Sequence, residues 1–99
     1  MIIVTGTIES SEESIEAIKG AIAELEQATR AEEGCIDYVF SVELSRPDCI
    51  RIAEKWASKE ALMAHMGQPH MATFQQAIAE HPPKSLDLKF FEAEETSLG

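Results

Sequence analysis

Ninety-nine residues carrying 18 acidic and 8 basic side chains give a net charge of −10 and material for one domain. A chain of this length buries roughly 65% of its unfolded surface, so a modest core is feasible, and 44% hydrophobic residues supply it. The Lys and Arg residues are scattered rather than striped, which argues against nucleic-acid binding, and no apolar run approaches the ~20 residues of a membrane span.

Ile2 to Glu9 reads as a strand, with Ile2, Val4 and Ile8 on one face and Ile3, Thr5 and Thr7 on the other. Met1 to Val4 runs straight into Thr5-Gly6-Thr7 without a basic segment before it, so it does not read as a signal peptide, and a cytoplasmic location is expected. Ser10 and Glu13 stand at the spacing of a capping box, which predicts a helix from Ser10 onward. Ile15, Ile18, Ile22 and Leu25 form its apolar stripe, while Glu12, Glu16, Lys19 and Glu26 stay wet. Glu33-Gly34 is expected to end it, with Gly34 as a left-handed cap.

From Cys35 to Leu44 the alternation returns, with Ile36, Tyr38, Phe40, Val42 and Leu44 predicted on one face. Cys35, Asp37, Val39, Ser41 and Glu43 make up the other. Ser45-Arg46-Pro47-Asp48 is the expected turn into a third strand, where Ile50, Ile52, Glu54 and Trp56 alternate with Arg51, Ala53 and Lys55. In that register Cys35 and Cys49 lie too far apart for a disulfide and read as small thiols.

Ser58 stands where an N-cap belongs, followed by the helix formers Lys59 to Met63. Gly67-Gln68-Pro69 interrupts this helix, and Pro69 can open a new one carrying His70, Met71 and Phe74. His81-Pro82-Pro83 is a firm stop, and Leu86, Leu88 and Phe90 mark a final strand with Phe91 on its other face. The order β-α-β-β-α-β predicts an α+β, ferredoxin-like domain over residues 1–99: a four-stranded antiparallel sheet with the helices on one face. Apolar residues on both faces of several strands leave an uncovered side, and a second copy meeting it sheet to sheet is expected. Trp56, His65 and His70 gather at the broken corner of the second helix, where chemistry is expected.

Glu32-Glu33-Gly34-Cys35 with Tyr38, then Ile52-Ala53-Glu54-Lys55-Trp56, Ala64-His65 and Pro69-His70-Met71 with Phe74, resemble the antibiotic biosynthesis monooxygenase (ABM) family, and within it the small bacterial quinol monooxygenases. The resemblance covers nearly the whole chain. It implies a dimeric α+β barrel, a pocket between sheet and helices, and oxygenation of a small phenol, quinol or polycyclic aromatic by O₂ with no metal, flavin or other cofactor. The haem-degrading branch of the family needs an Asn on the first strand and a Trp and a His on the second helix. Here Thr5 and Thr7, His65 and a residue near Gln75 occupy those places, so haem degradation is disfavoured. A dimer that binds a small ligand, or a stress-related protein on the same fold, is the alternative reading, because fold does not confer function.

A phenol with a pKa of about 10 is about one part in a thousand anion at pH 7, and shifting that pKa to 7 takes roughly 4 kcal/mol. A hydrogen bond to a charged group contributes about 1.5–3 kcal/mol, so two converging groups suffice. His65 and His70 are the candidate catalytic residues, imidazole being the side chain that titrates near neutrality. Trp56 and Tyr38 are expected to position the ring, with Met66 and Phe74 lining the pocket and Thr5 and Thr7 offering hydroxyls. Glu54, on the face of Ile52 and Trp56, is expected to pair with an arginine such as Arg30 or Arg51. Five residues apart, His65 and His70 are about 140° round a continuous helix, and no third ligand has an obvious spacing, so no metal is expected.

Overall fold

Strand alternation decides which side of the sheet the helices cover. The computed structural model describes all 99 residues, Met1 to Gly99. Its elements in chain order are β1 (Ile2–Glu9), α1 (Glu12–Arg30), β2 (Cys35–Glu43), β3 (Arg46–Trp56), α2 (Lys59–Met66), α3 (Pro69–Glu80) and β4 (Ser85–Glu92). The strands form one sheet in the order β2-β3-β1-β4, every neighbouring pair antiparallel, which is the expected ferredoxin-like arrangement.

Ile2, Val4 and Ile8 of β1 and Ile50, Ile52, Glu54 and Trp56 of β3 are buried on the helix side. Two apolar clusters result. Ile2, Val4, Leu25, Tyr38, Trp56 and Leu62 pack at one end, and Ile8, Ile18, Ile50 and Ile52 at the other. Helix α1 closes both through Leu25 and Ile18, and α3 packs alongside α1. Two side chains of α1 also bind the β2 backbone. Glu26 Oε2 accepts from the Phe40 N–H at 2.8 Å, and Arg30 Nε donates to the Tyr38 carbonyl at 3.0 Å.

Local expectations fail at several places. The N-cap of α1 is Ser11, whose side chain accepts from the Ser14 N–H; Ser10 is instead buried, its own N–H donating to the Asp48 carbonyl. The β2-β3 hairpin turns over Leu44-Ser45, since Glu43 pairs with Arg46, and the surplus residues Pro47 to Cys49 form a bulge. Proline is tolerated there because a bulge needs no ladder N–H. A second bulge lies between Cys35 and Asp37. It places Cys35 opposite Trp56 on the core side and leaves Ile36 exposed, the reverse of the strict alternation expected at the start of β2. Both cysteines are free thiols.

The broken second helix and its caps form as expected: Ser58 accepts from the Ala61 N–H, and Pro69 opens α3. Strand β4 is an edge strand with no helix over it, so Leu88 and Phe90 remain 37% and 55% exposed on the helix side. The face away from the helices mixes apolar Ile3, Val39, Ala53 and Phe91 with Arg51, Lys55, Asp37 and Lys89, and is more polar than the sequence suggested. No helix is long and apolar enough to cross a membrane.

Gly34 adopts φ +85°, the left-handed conformation expected of it, but α1 has already ended at Arg30 with Ala31 as its cap. A Cβ there would stand 2.5 Å from the Ala61 Cβ of α2. Gly34→Ala combines backbone strain of roughly 1–2 kcal/mol with overpacking of roughly 1–3 kcal/mol. The variant is expected to lose about 2–5 kcal/mol in a urea titration, and a loss within the error of the wild-type value would show that α2 yields freely.

Candidate active site

Between the sheet and the α2-α3 pair lies a cavity of about 210 Å³. Tyr38 and Phe40 of β2, Glu54 of β3, His65 and Met66 of α2 and Phe74 and Gln75 of α3 line it, with Leu88 and Phe90 of β4 at its open side. Its walls are mostly apolar, and the polar groups concentrate at Tyr38, Glu54 and His65. A larger cleft, about 420 Å³, runs between α2 and β4, but its only ionisable groups are Lys59 and Glu92 at the rim. The chemistry therefore belongs to the first cavity.

His65 is 1% exposed. Its ring packs at 4.7 Å from the Trp56 ring and 5.3 Å from that of Tyr38, centroid to centroid. Its Nδ1 meets Glu32 Oε2 at 2.7 Å, and His70 Nε2 meets the same oxygen at 2.7 Å. A carboxylate oxygen accepts, so both facing ring nitrogens carry hydrogen, and in a neutral ring Nε2 of His65 is the nitrogen without one. Glu32 reaches this position because α1 stops at Arg30 and the following turn, ending at the left-handed Gly34, carries residue 32 across to α2 and α3. The Glu32 side chain is only 10% exposed.

Glu54 is buried and accepts the Trp56 indole N–H at 2.9 Å. The expected arginine partner is absent: Arg30 binds Glu26 and the Tyr38 carbonyl, and Arg51 binds Glu43 and Thr7 on the other face of the sheet. Burial raises the Glu54 carboxyl above the usual range, opposed in part by the Trp56 hydrogen bond and by His65. Burial also raises the Tyr38 phenol, with Glu54 and Glu32 acting in the same direction, so Tyr38 stays a neutral donor throughout the physiological range. The Cys35 thiol is raised for the same reasons, burial first and then Glu32, which disfavours its thiolate form.

The structure thus brings Tyr38, His65, Met66 and Phe74 to one cavity. Other candidates fall elsewhere. Trp56 is wholly buried behind His65 and touches the cavity through its neighbours only. His70 binds the same Glu32 oxygen as His65 and does not line the cavity. Thr5 and Thr7 pair with Ala53 and Arg51 on the face away from the helices, because alternation sends them opposite Val4 and Ile8. Glu32 was not singled out as a functional residue from the sequence. The Glu-Glu-Gly turn was its only local signal, and nothing in it names a partner in α2 or α3.

This architecture and pocket define an α+β domain of the ferredoxin-like type with a small-molecule cavity. A family model described as antibiotic biosynthesis monooxygenase matches residues 1–77, and the chain belongs to that family. No curated protein matches significantly. A solved structure of a candidate antibiotic biosynthesis monooxygenase from Deinococcus radiodurans is 30% identical, with 98% of this chain and 96% of that one covered and a TM-score of 0.90. A conserved Bacteroides thetaiotaomicron protein, described as a possible oxidoreductase, is also 30% identical, covering 93% and 96% with a TM-score of 0.83. A conserved Methanosarcina mazei protein shares the fold at 24% identity, 94% and 92% coverage and a TM-score of 0.86.

Because the folded-state pKa of Glu54 is raised above its unfolded value, its favourable contribution is full below the unfolded pKa and is lost as pH rises through the folded one. At pH 7, well above the unfolded pKa, the buried carboxyl therefore weighs against the fold. Glu54→Gln keeps an oxygen for the Trp56 indole and removes the ionisable group. It is expected to raise the melting temperature at pH 7 by a few degrees, about 4–8 °C corresponding to 1 kcal/mol for a domain of this size, with the gain shrinking toward pH 4. A variant melting lower than wild type at pH 7 would mean the hydrogen bond outweighs the burial.

Proposed function

We propose that the cavity oxidises a small phenol or quinol with O₂ without a resident cofactor, His65 being the base. The observation that carries this reading is the pinned imidazole: Glu32 holds Nδ1–H, which leaves a basic Nε2 on a ring at the wall of an apolar cavity. Nε2 takes the hydroxyl proton, and the substrate anion is the reductant. For a phenol with an open para carbon, one oxygen atom enters the ring, the other leaves as water, and the substrate supplies all four electrons. Tyr38, held neutral, donates to the developing oxyanion, and Phe74 and Met66 hold the ring. The volume, about 210 Å³, is below the ~300–1,000 Å³ of drug-sized pockets, which favours one or two fused rings over larger polycyclic substrates. His70 acts as a positioning residue through Glu32. Membership of the family and the oxidoreductase description of the Bacteroides neighbour support the reaction class.

The test is protein-dependent oxygen uptake with a panel of quinols and naphthols, autoxidation subtracted. A general base contributes roughly 10²–10⁴-fold, so His65→Ala is expected to lose at least about 100-fold in kcat with its fold intact, and Glu32→Gln to lose part of that. Uptake in the His65→Ala protein equal to wild type would overturn the assignment.

We also propose that the chain is a homodimer, the sheet faces meeting about a two-fold axis. Ile3, Val39, Ala53 and Phe91 form the apolar part of that face, and no element of the chain covers them. Light scattering at micromolar concentration is expected to give twice the chain mass, whereas a stable monomer would sink the proposal.

A further inference from the structure

The second half of the Glu32 contact lies outside the cavity, because His70 does not line it. Positioning His65 needs one hydrogen bond, yet the same oxygen also meets His70, a residue of another helix. The ligand atoms of Glu32, His65 and His70 all lie within 4.8 Å of one another. We propose that these three side chains form a site for a divalent transition-metal ion of the zinc type, whose binding shuts off the base; the second clause rests on the oxygenase reading above.

Two imidazoles and one carboxylate are a donor set that zinc accepts, with an open position for water. At metal–ligand distances of about 2.0–2.2 Å, tetrahedral neighbours sit roughly 3.4 Å apart. The observed contacts of 2.7 Å to each histidine must therefore widen by several tenths of an ångström. The arrangement permits this because each ligand stands on a separate element: Glu32 on the turn after α1, His65 in α2 and His70 at the start of α3. The Gly67-Gln68 break between the helices is what allows two histidines five positions apart to converge. Glu32 is the third group that the spacing of the two histidines alone does not supply.

Access and charge fit as well. The His70 side chain is 22% exposed, against 2% for His65, so an ion enters from the His70 side and leaves the cavity wall undisturbed. The net charge of −10 attracts cations. Ligation by Nδ1 fixes the remaining hydrogen of His65 on Nε2, the tautomer opposite to the one Glu32 enforces. Nε2 then donates and cannot accept the substrate proton. A bound ion thus replaces a base with a hydrogen-bond donor.

The probe is Zn²⁺, titrated in competition with a chromogenic chelator into the chelator-treated full-length protein, with no substrate present. Wild type is expected to bind one ion per chain. His70→Ala and Glu32→Gln are expected to bind at least about 10-fold more weakly, while His81→Ala, which alters the one histidine outside the cluster, binds as wild type. Because a variant can lose its fold, ¹⁵N spectra of the wild-type imidazoles give a second reading. Zn²⁺ should shift Nδ1 of His65 and Nε2 of His70 and leave His81 in place. No stoichiometric binding, equal binding by all variants, or shifts at His81 alone would overturn the site. These readings need no turnover, so their outcome is independent of the oxygenase proposal. Given oxygen uptake, one equivalent of Zn²⁺ should suppress it, and uptake unchanged by bound Zn²⁺ would overturn the shut-off.

Discussion

One carboxylate oxygen holds the functional corner together. Glu32 Oε2 is shared by His65 and His70, and through them the turn after α1 is tied to both segments of the interrupted second helix. Without that acceptor, two imidazoles would sit in a largely dry place with unmet N–H groups, at about 1–3 kcal/mol each. The contact also places hydrogen on the ring nitrogen of each histidine that faces the carboxylate.

Around this anchor, the site is layered. Trp56 lies behind His65 and is itself held by Glu54, a carboxylate with no cationic partner. The ring stack restrains the imidazole where hydrogen bonds alone leave it free to tilt. Glu54 is costly at neutral pH, since burial disfavours its charged form. Such an unpaired buried acid weakens the fold, and its position on the cavity wall beside Tyr38 and His65 is the kind of placement found at functional sites.

The cavity exists because the helices cover too little of the sheet. α1 packs over β2 and β3, α2 over β3, and α3 against α1, while the edge strand β4 has no helix above it. Gly6, lacking a side chain between Ile52 and Leu88, lets β4 lean close to β1 along this wall. Leu88 and Phe90 are consequently left as an exposed apolar rim to the cavity. The same incomplete coverage on the other side of the sheet leaves Ile3 half-buried and Phe91 exposed, which is the basis for expecting a second copy.

The sequence by itself determined the elements, because periodicity and capping are local. Alternation in Ile2 to Ile8 and Ile50 to Trp56 assigned the core face correctly. Ser58 and Pro69 marked two helix starts, and Gly34 its left-handed turn. Alternation also held the answer for Thr5 and Thr7, which it sent away from the face that Val4 and Ile8 share with the cavity. It failed at the bulges beside Ile36 and Pro47, where the count of residues no longer matches the count of pairs. What only the tertiary structure decided is the partner of each buried polar group. Glu32 meets histidines 33 and 38 positions away, and Glu54 takes an indole rather than an arginine. No local pattern encodes such pairings, since they depend on how a turn, a helix break and a strand register come to share one point in space.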